Sequence, residues 1–224
     1  MPRIVAISRQ FGSGGARVGR GVAQRLGFRY ADRQILSEAA RLLQMDANDL
    51  APLEERTAGF WGRVGSLFAL GSPDTPFMPP ALPAVTESDL FAAEQRVIRE
   101  IAARENAVIV GRGAAHVLDA STPVVRVFLH APLASRIELA MAEYELPSRE
   151  AAATVVRESD RARSQFVRRL TGQDWCDANL YDITLNVGLT GIDRAVDLLV
   201  DFVRQIPDGV PKAPVQSLDD REPS

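Results

Sequence analysis

The stretch Ile4-Val5-Ala6-Ile7-Ser8-Arg9-Gln10-Phe11-Gly12-Ser13-Gly14-Gly15-Ala16-Arg17-Val18 decides the fold. From Arg3 to Ser8 it is a short apolar run, which reads as a strand buried on both faces. Gly12-Ser13-Gly14-Gly15 breaks it. Val18, Val22 and Leu26 then recur at helical spacing, with Arg17, Arg20, Gln24 and Arg25 between them, and Gly27 stops the helix. Strand, glycine turn and helix in that order make a phosphate cradle. Glycine lets the backbone approach an anion, and successive N–H groups point into the turn.

Three readings of the turn compete. A Rossmann fingerprint needs Gly-x-Gly-x-x-Gly. Gly12 and Gly14 fit, but Arg17 stands at the third glycine. A P-loop needs Gly-x-x-x-x-Gly-Lys-Ser/Thr. Arg9 stands at its first glycine, Gly14 keeps the second, Gly15 replaces the lysine, and Ala16 and Arg17 take the hydroxyl positions. The bare pattern fails, while the strand–loop–helix context holds. The third reading is a tight turn with no ligand, against which stands a density of glycine and serine beyond what a turn requires.

Outward from the turn, strands alternate with helices. Ala107 to Gly111, Val124 to Leu129 and Tyr181 to Asn186 read as further strands. Helices are expected over Ile35 to Leu43, Glu87 to Arg104, Arg136 to Tyr144, Arg149 to Leu170 and Ile192 to Val203. This alternation implies an α/β fold with a parallel sheet between helical layers. Residues 56–85 carry Phe60, Trp61, Phe68 and Phe77 among five prolines and read as an irregular insertion whose aromatics need a surface to pack on. From about Pro207 the chain turns to Pro, Asp and Gly, which predicts a disordered tail over 207–224.

Composition narrows the chemistry. Lys212 is the only lysine among 26 Lys and Arg residues, and it lies in that tail. Schiff-base chemistry, a lysine base and a P-loop lysine are therefore excluded from the body of the fold. Anions must be held by arginine, backbone N–H groups or helix N-termini. At 224 residues and about 150 per domain, one domain with insertions is expected. A net charge of −3 argues against nucleic acid as the main partner. The single cysteine, Cys176, excludes an internal disulfide, and the two histidines, His116 and His130, leave little for a zinc centre. No long apolar run predicts a membrane span, and no leader is visible, so a cytoplasmic protein is expected. Trp175 and Cys176 read as packing residues.

Three segments, Ile7-Ser8-Arg9-Gln10-Phe11-Gly12-Ser13-Gly14-Gly15, Gly27-Phe28-Arg29-Tyr30-Ala31-Asp32 and Val108-Ile109-Val110-Gly111-Arg112-Gly113, together resemble the cytidylate-kinase-like family. This is a divergent branch of the P-loop nucleoside monophosphate kinases, matched in order over about residues 3–206. The resemblance implies a P-loop-type three-layer fold with about five parallel strands. It also implies a helical acceptor-binding insertion at about 40–90 and an arginine-rich lid at about 145–175, within a single domain over 1–206. ATP and Mg²⁺ are the implied cofactors, and nucleotides the implied substrates.

The resemblance also implies roles. Ser8, Gly12, Ser13, Gly14, Gly15 and Ala16 would cradle the nucleotide phosphates, with Ser13 or Ser8 as the hydroxyl on Mg²⁺. Gly111 and Arg112 would face the acceptor. Asp32 matches the acid ending the family's second strand, where it would bind substrate by holding the acceptor ribose, or hold a metal water; its alternative reading is a helix N-cap. Arg157, Asp160, Arg161 and Arg163 are similar to the lid segment, where the alternative is a solvated, salt-bridged helix. Arg9 and Arg17 flank the loop and are candidates for the lysine's role. With Arg112, Arg157, Arg161 and Arg163 they complete the candidate catalytic set. The departures are the missing P-loop lysine and threonine, and Gly113 where ordinary bacterial cytidylate kinases carry an acid.

Three functions follow: phosphorylation of CMP or dCMP by ATP, a non-catalytic nucleotide-binding regulator, and a kinase of another small acceptor. The 56–85 insertion offers either a cover for the acceptor pocket or a homodimer interface.

Overall fold

The sheet is built from runs that stay apolar because both of their faces are covered. The computed structural model describes residues 3–43, 87–111, 113–118 and 122–207. The strands are β1 (Ile4–Arg9), β2 (Arg29–Ala31), β3 (Ala107–Val110), β4 (Val124–His130) and β5 (Ile183–Asn186). The helices are α1 (Gly15–Leu26), α2 (Arg33–Leu42), α3 (Glu87–Arg104), α4 (Ala114–Val117), α5 (Leu133–Tyr144), α6 (Arg149–Thr171), α7 (Val187–Thr190) and α8 (Ile192–Gln205). A 3₁₀ turn over Ala178–Leu180 precedes β5.

All pairings are parallel, in the order β2-β3-β1-β4-β5. Side chains alternate across each strand. Ile4, Ala6, Ala107, Ile109, Val124 and Phe128 enter one apolar layer with α2 and α3. Val5, Ile7, Val108, Val110, Val125, Val127 and Leu129 enter the other, under α1 and α8. A third cluster joins Phe11 to Ile137, Ala140, Leu146, Ala152, Val155 and Val156 of the α5–α6 pair.

The order excludes the Rossmann reading. There β2 neighbours β1, whereas here β3 lies between them. The chain leaves β1 toward β2 on one side and leaves β4 toward β5 on the other. The carboxyl ends of β1 and β4 therefore flank a topological switch point, the place where open α/β sheets receive ligands. Gln10 seals the turn there. Its N–H donates to the Leu129 carbonyl at 2.9 Å, and its side-chain oxygen accepts from the Ala131 N–H at 3.3 Å.

Boundaries differ from the sequence expectation in ways that matter for the site. β1 runs on to Arg9, paired in register with Leu129. The three-residue β2 is too short for its pattern to announce and is seen in sequence only through the resemblance. Its pairing with Ala107–Ile109 sets it beside β3. The helix expected from Arg136 begins three residues earlier at Leu133, with Pro132 at its N-cap. Gly27 ends α1 in the left-handed conformation, as its position predicts. Arg112, the 56–85 insertion and the tail beyond Pro207, with Lys212, lie outside the described residues. Among the described residues no helix is long and apolar enough to cross a membrane.

Candidate active site

The loop after β1 holds its own shape and leaves its amides open. The Ser13 hydroxyl donates to the Gln10 carbonyl at 2.8 Å, and Ser13 is 2% exposed. That hydroxyl braces the loop from inside and turns away from solvent. Ser8 is also buried, and the Tyr181 hydroxyl donates to the Trp175 carbonyl at 2.8 Å. Among the described residues, no hydrogen bond takes up the N–H groups of Gly12, Gly14, Gly15 or Ala16. These are the orphan donors of a helix N-terminus together with the loop feeding it, an arrangement that attracts anions.

Arg9 leaves β1 directly into this space. Its stem lies on Gly15, so closely that a Cβ there would sit 2.6 Å from Arg9 Cγ. Its guanidinium reaches Gly111 after β3, where a Cβ would come within 1.8 Å of Nη1. Two glycines thus clear the path of one arginine. Arg9 Nη2 lies 3.8 Å from Asp32 Oδ1. Asp32 follows β2 immediately, and its other oxygen, Oδ2, accepts from the Tyr30 hydroxyl at 3.1 Å. Burial, and then the Asp32 charge, push the Tyr30 phenol up to about 12, so it stays a donor. The Asp32 carboxylate thus faces Arg9 with one oxygen and Tyr30 with the other.

Arg163 approaches from α6. Its guanidinium sits 5.6 Å above the Phe11 ring. Burial first, and repulsion from Arg9 second, disfavour its charged form. Its Nη1 is buried without a hydrogen-bond acceptor, the nearest carboxylate oxygen being Asp160 Oδ1 at 3.7 Å. Two arginines that repel one another beside open amides constitute an electrostatic demand for an anion.

The structure brings together Arg9, Asp32, Gly111, Arg163 and the loop Gly12–Ala16. It does not bring Arg17, Arg157 or Arg161. Arg17 is more than half exposed and pairs with Glu143 at 3.9 Å. Arg157 and Arg161 are exposed on the outer face of α6. At about 100° per residue, Arg157, Arg161 and Arg168 share one face. Ala152, Val156, Ser159, Asp160, Arg163 and Val167 share the opposite one. Asp160 and Arg163 are thus the charged members of that stripe, and this is the signal by which the sequence separates them from Arg157 and Arg161.

Arg136 was missed. It is 8% exposed and donates from Nε to the Ala131 carbonyl at 3.0 Å, and it pairs with Asp160. Its signal is the same: it stands four residues before buried Ala140 on the apolar side of α5. Trp175 packs as expected, edge-on to Phe128 at 5.4 Å, but Cys176 is exposed and is no packing residue. His130 stacks on Phe128. Among the described residues no group of His, Cys, Asp and Glu forms a metal-binding cluster.

Known proteins place this geometry. No curated protein matches the sequence. The fold is similar to the crystal structure of an uncharacterized protein from Eubacterium ventriosum ATCC 27560, with TM-score 0.67 and 21% identity over 92% of this chain and 100% of that one. It is similar to a shikimate kinase from Bacteroides thetaiotaomicron, with TM-score 0.52 and 15% identity over 90% and 98% of the two chains. A gluconokinase from Sinorhizobium meliloti 1021 follows, with TM-score 0.50 and 12% identity over 91% and 96%. At these identities the likeness concerns the fold, which is that of the P-loop kinases. The cytidylate kinase-like family model matches residues 4–189, and the chain belongs to that family.

Proposed function

We propose that the chain transfers a phosphoryl group from ATP to a nucleoside monophosphate, with CMP or dCMP as the acceptor. The observation that carries the reading is Arg9. Its stem packs on Gly15, the residue in the P-loop lysine's position, and its guanidinium lies against Gly111 and 3.8 Å from Asp32. Phosphoryl transfer asks the protein for alignment and charge neutralisation and for little covalent chemistry. Arg9 supplies the charge that the lysine would, with a planar fork able to grip two phosphate oxygens.

The residues present fit a nucleotide phosphate, because unpaired N–H groups and two arginines converge there. Mg²⁺, when bound with ATP, would neutralise phosphate charge, and it is a cation that keeps water and phosphate oxygens as ligands. Asp32 is the carboxylate best placed to hold one of those waters, ahead of Ser13, whose hydroxyl is committed to Gln10. Arg112 is proposed as an acceptor contact from its place after Gly111. The 56–85 insertion is proposed as a pocket cover or a dimer contact, which a solution mass measurement separates.

A kinase of another small acceptor is the second reading, favoured by the likeness to a shikimate kinase and a gluconokinase. The test is ADP release with CMP, dCMP, UMP, AMP, shikimate and gluconate each offered in turn. Turnover with CMP or dCMP well above the rest is expected. Turnover with shikimate or gluconate selects the second reading. ATP binding with no turnover on any acceptor turns the chain into a nucleotide-binding regulator.

A further inference from the structure

Phe11 belongs to two parts of the molecule at once. Its backbone is the first turn of the glycine loop. Its ring lies in the apolar cluster of the α5–α6 pair, stacked on Tyr144 with centroids 5.1 Å apart. Its peptide groups are held from both sides by one charged pair. The Phe11 N–H donates to Asp160 Oδ1 at 2.8 Å, and Arg136 Nη1 donates to the Phe11 carbonyl at 3.3 Å. Arg136 and Asp160 Oδ2 close the ring by pairing with each other. The next residue is equally constrained, since a Cβ at Gly12 would lie 2.4 Å from the Arg136 carbonyl oxygen.

We propose that Arg136 and Asp160 are positioning residues: through the Phe11 peptide, helices α5 and α6 set the conformation in which the loop's open amides receive the nucleotide's phosphates. The inference rests on the phosphate reading above. The chemistry of the pair supports it. An apolar pair of the same volume would serve stability as well or better, because buried ions lose their hydration. Only a carboxylate offers two oxygens, one for the Phe11 N–H and one for an arginine. Only a guanidinium can donate at once to the Ala131 carbonyl, the Phe11 carbonyl and that carboxylate. The pair therefore does geometric work that packing does not. Arg163 lies over the same ring, so a movement of α6 shifts an anion-facing charge and the loop together.

The test compares Asp160→Ala, Asp160→Asn, Arg136→Met and Arg136→Lys with the wild type. Two quantities are read: amide hydrogen exchange at Phe11, and affinity for ATP and for inorganic triphosphate by calorimetry. Asp160→Ala and Arg136→Met are expected to raise Phe11 exchange at least 10-fold and to weaken both ligands at least 10-fold, while the amides of Ile4 to Ile7 keep their protection. Arg136→Lys keeps the charge but cannot span both carbonyls, so it is expected to fall nearer Arg136→Met than the wild type. Should Asp160→Ala fail to fold, the isosteric Asp160→Asn carries the comparison. Affinities within twofold of the wild type, or unchanged Phe11 exchange, overturn the proposal, and full rescue by lysine reduces the pair to a structural ion pair. A wild type that binds neither ligand overturns the phosphate reading instead, and Phe11 exchange still decides whether the clamp exists.

Discussion

At the scale of the residue, Arg9 concentrates the argument. Its guanidinium occupies space that Gly15 and Gly111 leave open, near an acid that Tyr30 holds. Removing it takes a positive charge from the end of β1 and leaves Asp32 without that partner. Arg9→Ala is expected to lower turnover at least ~30-fold, about 2 kcal/mol of transition-state stabilisation. An unchanged kcat/KM in the coupled assay would remove Arg9 from the site. Gly15→Ala makes a sharper test. Gly15 has no positive φ and lies in the first turn of α1, where alanine is the better helix former by roughly 1 kcal/mol. Yet the added Cβ must push Arg9 aside. A melting temperature close to the wild type's with turnover down ~10-fold is the expected pattern. Parallel loss of both would mean that the glycine serves the fold alone.

At the scale of the element, α6 shows how a helix sorts like residues by face. Ser148 caps it, its side chain accepting the Ala151 N–H at 3.1 Å, and Gly172 ends it. Between them the inner stripe carries Asp160 and Arg163, and the outer face carries Arg157 and Arg161. Solvent screens charges on the outer face. Arg157→Ala and Arg161→Ala are therefore expected to change kcat/KM less than about threefold, well short of the loss at Arg9. A 10-fold loss at either would show that α6 turns its outer face to the phosphates during turnover. The sequence displays the arginine-rich run plainly. Which arginines count is legible only when the run is laid on the apolar period of the helix, and Arg136 is legible by the same operation on α5.

At the scale of the whole molecule, the sheet layers make stability depend on pH through His116. The residue is partly buried in α4, against the Tyr181 ring. Burial is the first cause that lowers its pKa, opposed by Gln173. The folded chain therefore takes up the proton less readily than the unfolded chain. Between the lowered folded value and the unfolded value of about 6.5, the unfolded state binds more protons, so stability falls as pH drops through that window and is unaffected above it. His116→Gln is expected to flatten this acid-side fall, measured as melting temperature from pH 8 to pH 5. An undiminished fall would place its origin elsewhere.

The sequence by itself determined the layers, the parallel sheet and the place of the loop. Apolar runs, glycine punctuation and helical spacing are local signals, and the central strands β1, β3 and β4 are buried on both faces for most of their length. It also dictated that any anion is met without lysine, since composition needs no structure to be read. Only the tertiary structure decided which arginines share the site. Arg9 meets Asp32 because β3 places Gly111 between the ends of β1 and β2. Arg136 meets Phe11 and Asp160 because α5 and α6 fold back over the loop. These encounters join residues 23 to 149 positions apart, and a distance of that kind leaves no periodicity in the chain.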